Sequence, residues 1–264
     1  MAGAVAESLV GTRASLTHLA LARQVARRTA ASLLAERPSA RAVRQDSRRD
    51  VKIAADTTAH RLICDALRAE SPLPILSEED EATHGQSGNG DRWIVDPLDG
   101  SLNFARGIPW SCISIALWRG MTPVLGVIHD LNRDEQFSGL VGTGAWVNET
   151  TSIHVSEART PQEAILCTGF PAGREYATPA VQAFVTQIQV YKKIRLLGSA
   201  ALSLAYVACG RADAYQEEQI ALWDVAAGVA IVQAAGGVAH CRRIGTKQAV
   251  TVRAGNRYLT GEAE

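Results

Sequence analysis

The sequence is short of cysteine, of aromatic residues, of net charge and of long apolar runs, and each shortage excludes something. Its five cysteines, Cys64, Cys112, Cys167, Cys209 and Cys241, stand far apart, odd in number and without a C-x-x-C pair. That pattern argues against a disulfide framework or a cysteine-rich zinc site, and it fits small core residues in a reducing cytoplasm. Lys plus Arg and Asp plus Glu both total 27, so no excess charge points to a nucleic acid polymer or a membrane surface. No uncharged apolar stretch reaches the roughly 18 residues a membrane span needs. An N-terminus that carries Glu7 and lacks a long apolar run does not read as a signal peptide. The histidines show no metal-ligand spacing, which weighs against zinc.

What remains is an ordinary globular composition, 47% hydrophobic and 20% charged over 264 residues. That length supports one large domain or two closely packed ones. Helical spacing of apolar residues predicts one helix, or two joined near Gly11, over 6–36, and another over 55–70. The basic stretch 37–52 reads as an exposed loop. Short strands are expected at 75–76, 93–95, 111–118 and 123–129, followed by a Gly-punctuated hairpin over 137–149. From about 163 the pattern alternates: strands in "AILCTGF", "KIRLLG", "ADAYQ" and "VAHC", with helices over 179–190, 199–209 and 221–235. Ser199 is placed to cap the second of these, and Gly236-Gly237 to stop the third. The expected architecture is α/β, in stacked sheet and helix layers forming one compact unit. Within it, an α+β half over 1–160 precedes an α/β half over 161–264.

The unusual chemistry is in the carboxylates. "WIVDPLDGSLNF", residues 93–104, ends an apolar run in Asp96 and Asp99. A buried carboxylate is costly unless it is paired, hydrogen-bonded or bound to a metal. Three further acidic positions share a placement where strands end or helices begin: Asp56, Glu78-Glu79 and Asp224. Ligands in open α/β sheets gather at such ends. Carboxylates converging there repel one another unless a cation intervenes, and oxygen-only donors suit magnesium. The Leu98 carbonyl can add a third oxygen to the D-P-L-D turn. Gly100 permits close backbone approach, and the Gly100 and Ser101 N–H groups would open a helix as an anion site. Each element has a plainer reading by itself: a β-turn, a solvated acidic loop, a helix cap at Asp56, a dipole-stabilising first-turn residue at Asp224. Their joint order favours a cation beside a phosphate.

Those same motifs resemble the inositol monophosphatase family of magnesium-dependent, lithium-sensitive phosphatases. "SEED" is similar to its first acidic motif, "WIVDPLDGSLNF" to its D-P-[IL]-D-G-[ST] motif, and "LWDVAAGVAIVQAAGG" to its W-D-x-A-A-G motif. "AADTTAH" and "GSAALSLAYVACGRADAY" extend the resemblance over about residues 50–240. The resemblance implies a five-layer α/β/α/β/α sandwich, a homodimer, and two or three Mg2+ ions. Glu78, Asp96 and the Leu98 carbonyl would bind the first ion, and Asp96, Asp99 and Asp224 the second. A weaker third would sit near Glu78 and Glu79. Gly100 and Ser101 would hold phosphate, and the Ser101 hydroxyl, linked to Asp56, would orient the attacking water. No covalent phosphoenzyme is implied. Glu217, Gly198, Ser199 and Ala200 would line the substrate pocket, with Arg195 bracing the dimer or the substrate loop. Glu217 equally reads as a solvated strand-end residue. The chain departs from the family at Lys52, where many members carry threonine, and at Gln45, Asp46 and Ser47, where an upstream lysine is usual.

The function these observations imply is a phosphomonoesterase for a small polyol, sugar or nucleoside monophosphate. A 3'(2'),5'-bisphosphate nucleotidase and a non-catalytic phosphate- or metal-binding scaffold are the alternatives.

Overall fold

In the computed structural model, which describes residues 2–35, 43–46, 51–84, 89–170, 177–245 and 248–261, the N-terminal segment is a single helix. This α1 (Ala2–Ala35) runs through Gly11 without a break. Within the supposed loop 37–52, β1 (Val43–Asp46) and β2 (Val51–Ile53) pair antiparallel. Ile53, at the end of the pair, is fully buried and anchors it to the core. The remainder of that stretch lies outside the described residues.

Helix α2 (Ala54–Glu70) follows and buries Ala55, Ala59, Ile63 and Leu67 on one stripe, the spacing of an amphipathic surface helix. It packs with α1 on one face of a seven-stranded sheet. That sheet runs in spatial order β3 (Ile75–Ser77), β4 (Asp91–Asp99), β5 (Cys112–Arg119), β6 (Thr122–Asp130), β7 (Glu135–Leu140), β8 (Gly144–Val147) and β9 (Thr151–Ser152). Within this sheet only β3 and β4 pair in parallel. Arg92 through Leu98 of β4 are all buried, as expected for a strand covered on both faces. A short helix, α3 (Ser101–Arg106), leaves the end of β4.

A second sheet has five strands, ordered β11 (Lys193–Arg195), β10 (Ile165–Cys167), β12 (Ala214–Ala221), β14 (Ala249–Gly255) and β13 (Val238–Arg243). Its outer face carries α4 (Thr178–Ile188) and α7 (Arg257–Thr260) near β10, where Ile188 and Leu259 join a small cluster with Leu166. Between the two sheets lie α5 (Ala200–Ala208) and α6 (Leu222–Ala234), packed on each other and on strands of both. Apart from Ser203 in α5 and Asp224 and Gln233 near the ends of α6, both are apolar around their circumference, because a helix between two sheets has little face for water. Each fully buried Leu, Ile or Val there contributes about 1.5–3 kcal/mol. The layers are therefore helix, sheet, helix, sheet, helix, the expected sandwich. Strand β14 was not anticipated, and β12 extends well beyond "ADAYQ", which moves Glu217 from a strand end into a strand interior.

Candidate active site

The D-P-L-D stretch works through a bulge. Asp96 pairs with Ser114 and Asp99 with Cys112, so three steps along β4 match two along β5. The extra residue breaks the strict alternation of side chains and lets two carboxylates three apart face one region. Asp96 is buried, and its Oδ1 accepts from the Leu98 N–H at 3.0 Å. Glu78, just past β3, and Asp224, in the first turn of α6, come to the same place. Oxygens of Glu78, Asp96 and Asp224 all lie within 4.8 Å of one another. Burial pushes the Asp96 and Asp224 carboxyls well above the usual carboxylate range, and the charge of Glu78 pushes both further. Three mutually repelling carboxylates offering only oxygen fit a hard divalent cation.

Asp99 is used differently from its neighbours. Its Oδ2 accepts from the Ser199 hydroxyl at 2.7 Å and from the Ala201 N–H at 2.7 Å, binding β4 to the start of α5. Burial raises its carboxyl to about 6 against the pull of these donors and of the Gly100 N–H. Ser199 also caps α5 by accepting from the Leu202 N–H, as the sequence predicted.

Asp56 makes two contacts. Oδ2 accepts from the Ile53 N–H at 2.6 Å, closing the first turn of α2, while Oδ1 lies 2.8 Å from the Ser101 hydroxyl. The same hydroxyl is 2.8 Å from the Leu98 carbonyl. Gly100 adopts φ +85°, and a Cβ there would come within 2.7 Å of the Trp110 carbonyl, so glycine is required for the chain to turn from β4 into α3.

A cavity of about 210 Å³ opens beside the carboxylates, lined among others by Asp99, Gly198, Ser199, Ala200, Glu217 and Asp224. The four expected pocket residues are thus brought together with two of the expected metal ligands. Glu217 is buried, which overturns its solvated reading. The Tyr215 hydroxyl donates to its Oε2 at 2.8 Å, and a Cβ on Gly169 would come within 2.6 Å of that oxygen. A second bulge, between Glu217 and Ile220 on β12, lies directly beside it.

Sequence reasoning missed Thr168, Phe170, Ser203 and Tyr215, which also line the cavity. Tyr215 was legible, since residues two apart on a strand share a face with Glu217. Asn103 was missed as well. Its Nδ2 lies 2.9 Å from both the Trp110 and Leu197 carbonyls, tying the α3 loop to the loop before α5. Arg195, on β11, donates to the Ile194 carbonyl. The side chain of Lys52 lies outside the described residues.

Known proteins share both the sequence and the fold. The model of the inositol monophosphatase family matches residues 16–260. A Nus factor SuhB of Xylella fastidiosa is 42% identical over 196 residues, covering 73% of this chain and 70% of the relative. An inositol-1-monophosphatase of Synechocystis is 36% identical over 190 residues, 72% of this chain and 66% of the relative. The solved inositol monophosphatase of Anabaena superposes with a TM-score of 0.77 at 32% identity, covering 93% of each chain. With the acidic motifs, the layered fold and a match across nearly the whole sequence in agreement, this chain belongs to the inositol monophosphatase family.

Proposed function

We propose that the chain is a magnesium-dependent phosphomonoesterase acting on a small polyol, sugar or nucleoside monophosphate, with water attacking phosphorus directly. The observation that carries this reading is the convergence of Glu78, Asp96 and Asp224 beside a cavity lined by Glu217. Glu78, Asp96, Asp99, Asp224 and the Leu98 carbonyl would hold two Mg2+ ions, with Glu79 near a third. Bound there, such ions lower the pKa of water and neutralise charge on a phosphoryl group. Asp56, accepting from Ser101, leaves a Ser101 lone pair to receive a proton of the incoming water and so orient it. The Ser101 N–H would hold a phosphate oxygen, with the Gly100 N–H shared with Asp99. Glu217, fixed by Tyr215, would accept from hydroxyls of the substrate, which favours a polyol. Homodimer formation, a cytoplasmic location and lithium sensitivity belong to the same reading.

Phosphate release across inositol, sugar and nucleoside mono- and bisphosphates, with and without Mg2+, tests the reaction class and ranks substrates by kcat/KM. A bisphosphate nucleotide as best substrate would move the chain to the nucleotidase branch. Absence of release from folded protein across the panel would refute the phosphatase reading. It would favour the non-catalytic phosphate- or metal-binding scaffold. Gly169→Ala supplies a check on the pocket. The added methyl displaces the Glu217 carboxylate, and loss of a hydrogen bond worth about 1 kcal/mol raises KM for a polyol phosphate about fivefold with little change in kcat. An unchanged KM would remove Glu217 from substrate binding.

A further inference from the structure

Glu78 and Asp224 reach the cluster from separate elements, one from the turn after β3 and the other from α6, and one side chain spans the two. His84 Nε2 lies 3.0 Å from the Ser77 carbonyl and 3.1 Å from the Glu78 carbonyl. A carbonyl only accepts, so this nitrogen carries the proton. The imidazole stacks on the indole of Trp223, the residue before Asp224, with centroids 4.6 Å apart and planes 26° apart. The backbone closes the connection. Buried Gln248 donates its Nε2–H to the His84 carbonyl at 2.7 Å, and the Gln248 carbonyl accepts from Leu222 N–H, the first residue of α6, at 2.9 Å.

We propose that His84 is a positioning residue that sets the separation of Glu78 from Asp224 and so the affinity of the site for a divalent cation. This rests on the metal-centre reading above. The three carboxylates repel one another before a cation arrives, which pushes the turn bearing Glu78 away from α6. Hydrogen bonds to Ser77 and Glu78 hold the turn in, and the ring contact fixes it against α6. Groups that orient metal ligands without touching the metal typically govern affinity by about 10–100-fold when lost.

The test is a calorimetric titration of the metal-free, full-length chain with Mn2+, on the wild type and on His84→Ala, His84→Gln and an exposed control, His154→Ala. His84→Ala is expected to weaken Mn2+ binding about tenfold, with kcat at saturating metal within about threefold of wild type. His84→Gln, which keeps an N–H donor but loses the ring, is expected to fall between the two, and it carries the test if His84→Ala does not fold. His154→Ala should bind as wild type does. Unchanged Mn2+ affinity in folded His84→Ala, even with a lowered metal-free melting temperature, would make His84 a structural residue and overturn the inference. Wild-type protein that binds no Mn2+ would overturn the proposed function itself, whereas wild-type binding with unchanged variants overturns this inference alone.

Discussion

Replacing Asp96 by Asn is expected to abolish phosphate release while making the metal-free protein more stable. The side chain keeps its size and its acceptor for the Leu98 N–H, so β4 and its bulge should survive. What disappears is the buried charge at the centre of three carboxylates. A divalent cation then loses the ligand shared by both expected ion sites, and the loss of charge stabilisation in the transition state lowers kcat by at least about 10³-fold. Without a cation the sign reverses, since burial and the charge of Glu78 disfavour the ionised Asp96 carboxyl, and the neutral amide escapes that cost. Each kcal/mol of that cost relieved would raise the melting temperature by about 2–4 °C in a chain of this size. Phosphate release and a thermal melt in EDTA measure the two effects separately. Near-normal turnover would defeat the metal assignment, and a metal-free variant less stable than wild type would defeat the electrostatic argument.

The second large effect couples metal to pH. The Asp99 carboxyl is raised to about 6 from an ordinary value of 3.8, so folding favours its protonated form. The stability this gives is fully present below about pH 4 and is lost as pH rises through about 6. Asp96 and Asp224, raised by burial and by Glu78, carry the loss further upward. A divalent cation acts in the opposite direction, because it binds the ionised folded site and competes with protons for it. At a hundredfold excess over its Kd it adds about 2.7 kcal/mol, or about 5–11 °C. Mg2+ should therefore raise the melting temperature strongly at pH 7.5 and hardly at pH 5, while the metal-free protein grows less stable between pH 4 and 6. An equal Mg2+ effect at both pH values would place the cation away from these carboxylates.

Much of this site was legible in the sequence because its signals are local. The D-P-L-D spacing, the first-turn Asp224, the Ser199 cap and the all-apolar helix around Val229 are each set by neighbours within a few residues. The Asp56–Ser101 contact followed from the family motif, and the structure adds that Asp56 also closes the start of α2. What escaped depends on contacts between distant segments. Strands β1 and β2 are short and lie in a basic stretch, so their alternation was hidden by charge, and only their pairing makes them strands. The burial of Glu217 depends on Gly169 leaving room for its carboxylate, a contact between β12 and the loop after β10. The stack of His84 on Trp223 likewise joins residues far apart in sequence, and no periodicity announces it.

The central claim is that the carboxylates around Asp96 hold the cation that drives phosphate release. The most direct measurement is phosphate release from the best substrate of the panel, after removal of metal with EDTA and again after restoring Mg2+, for wild type and Asp96→Asn side by side. The account predicts that wild-type activity vanishes with EDTA and returns with Mg2+, while the variant remains inactive under both conditions. Release that persists without metal, or that Mg2+ restores equally in Asp96→Asn, would contradict it.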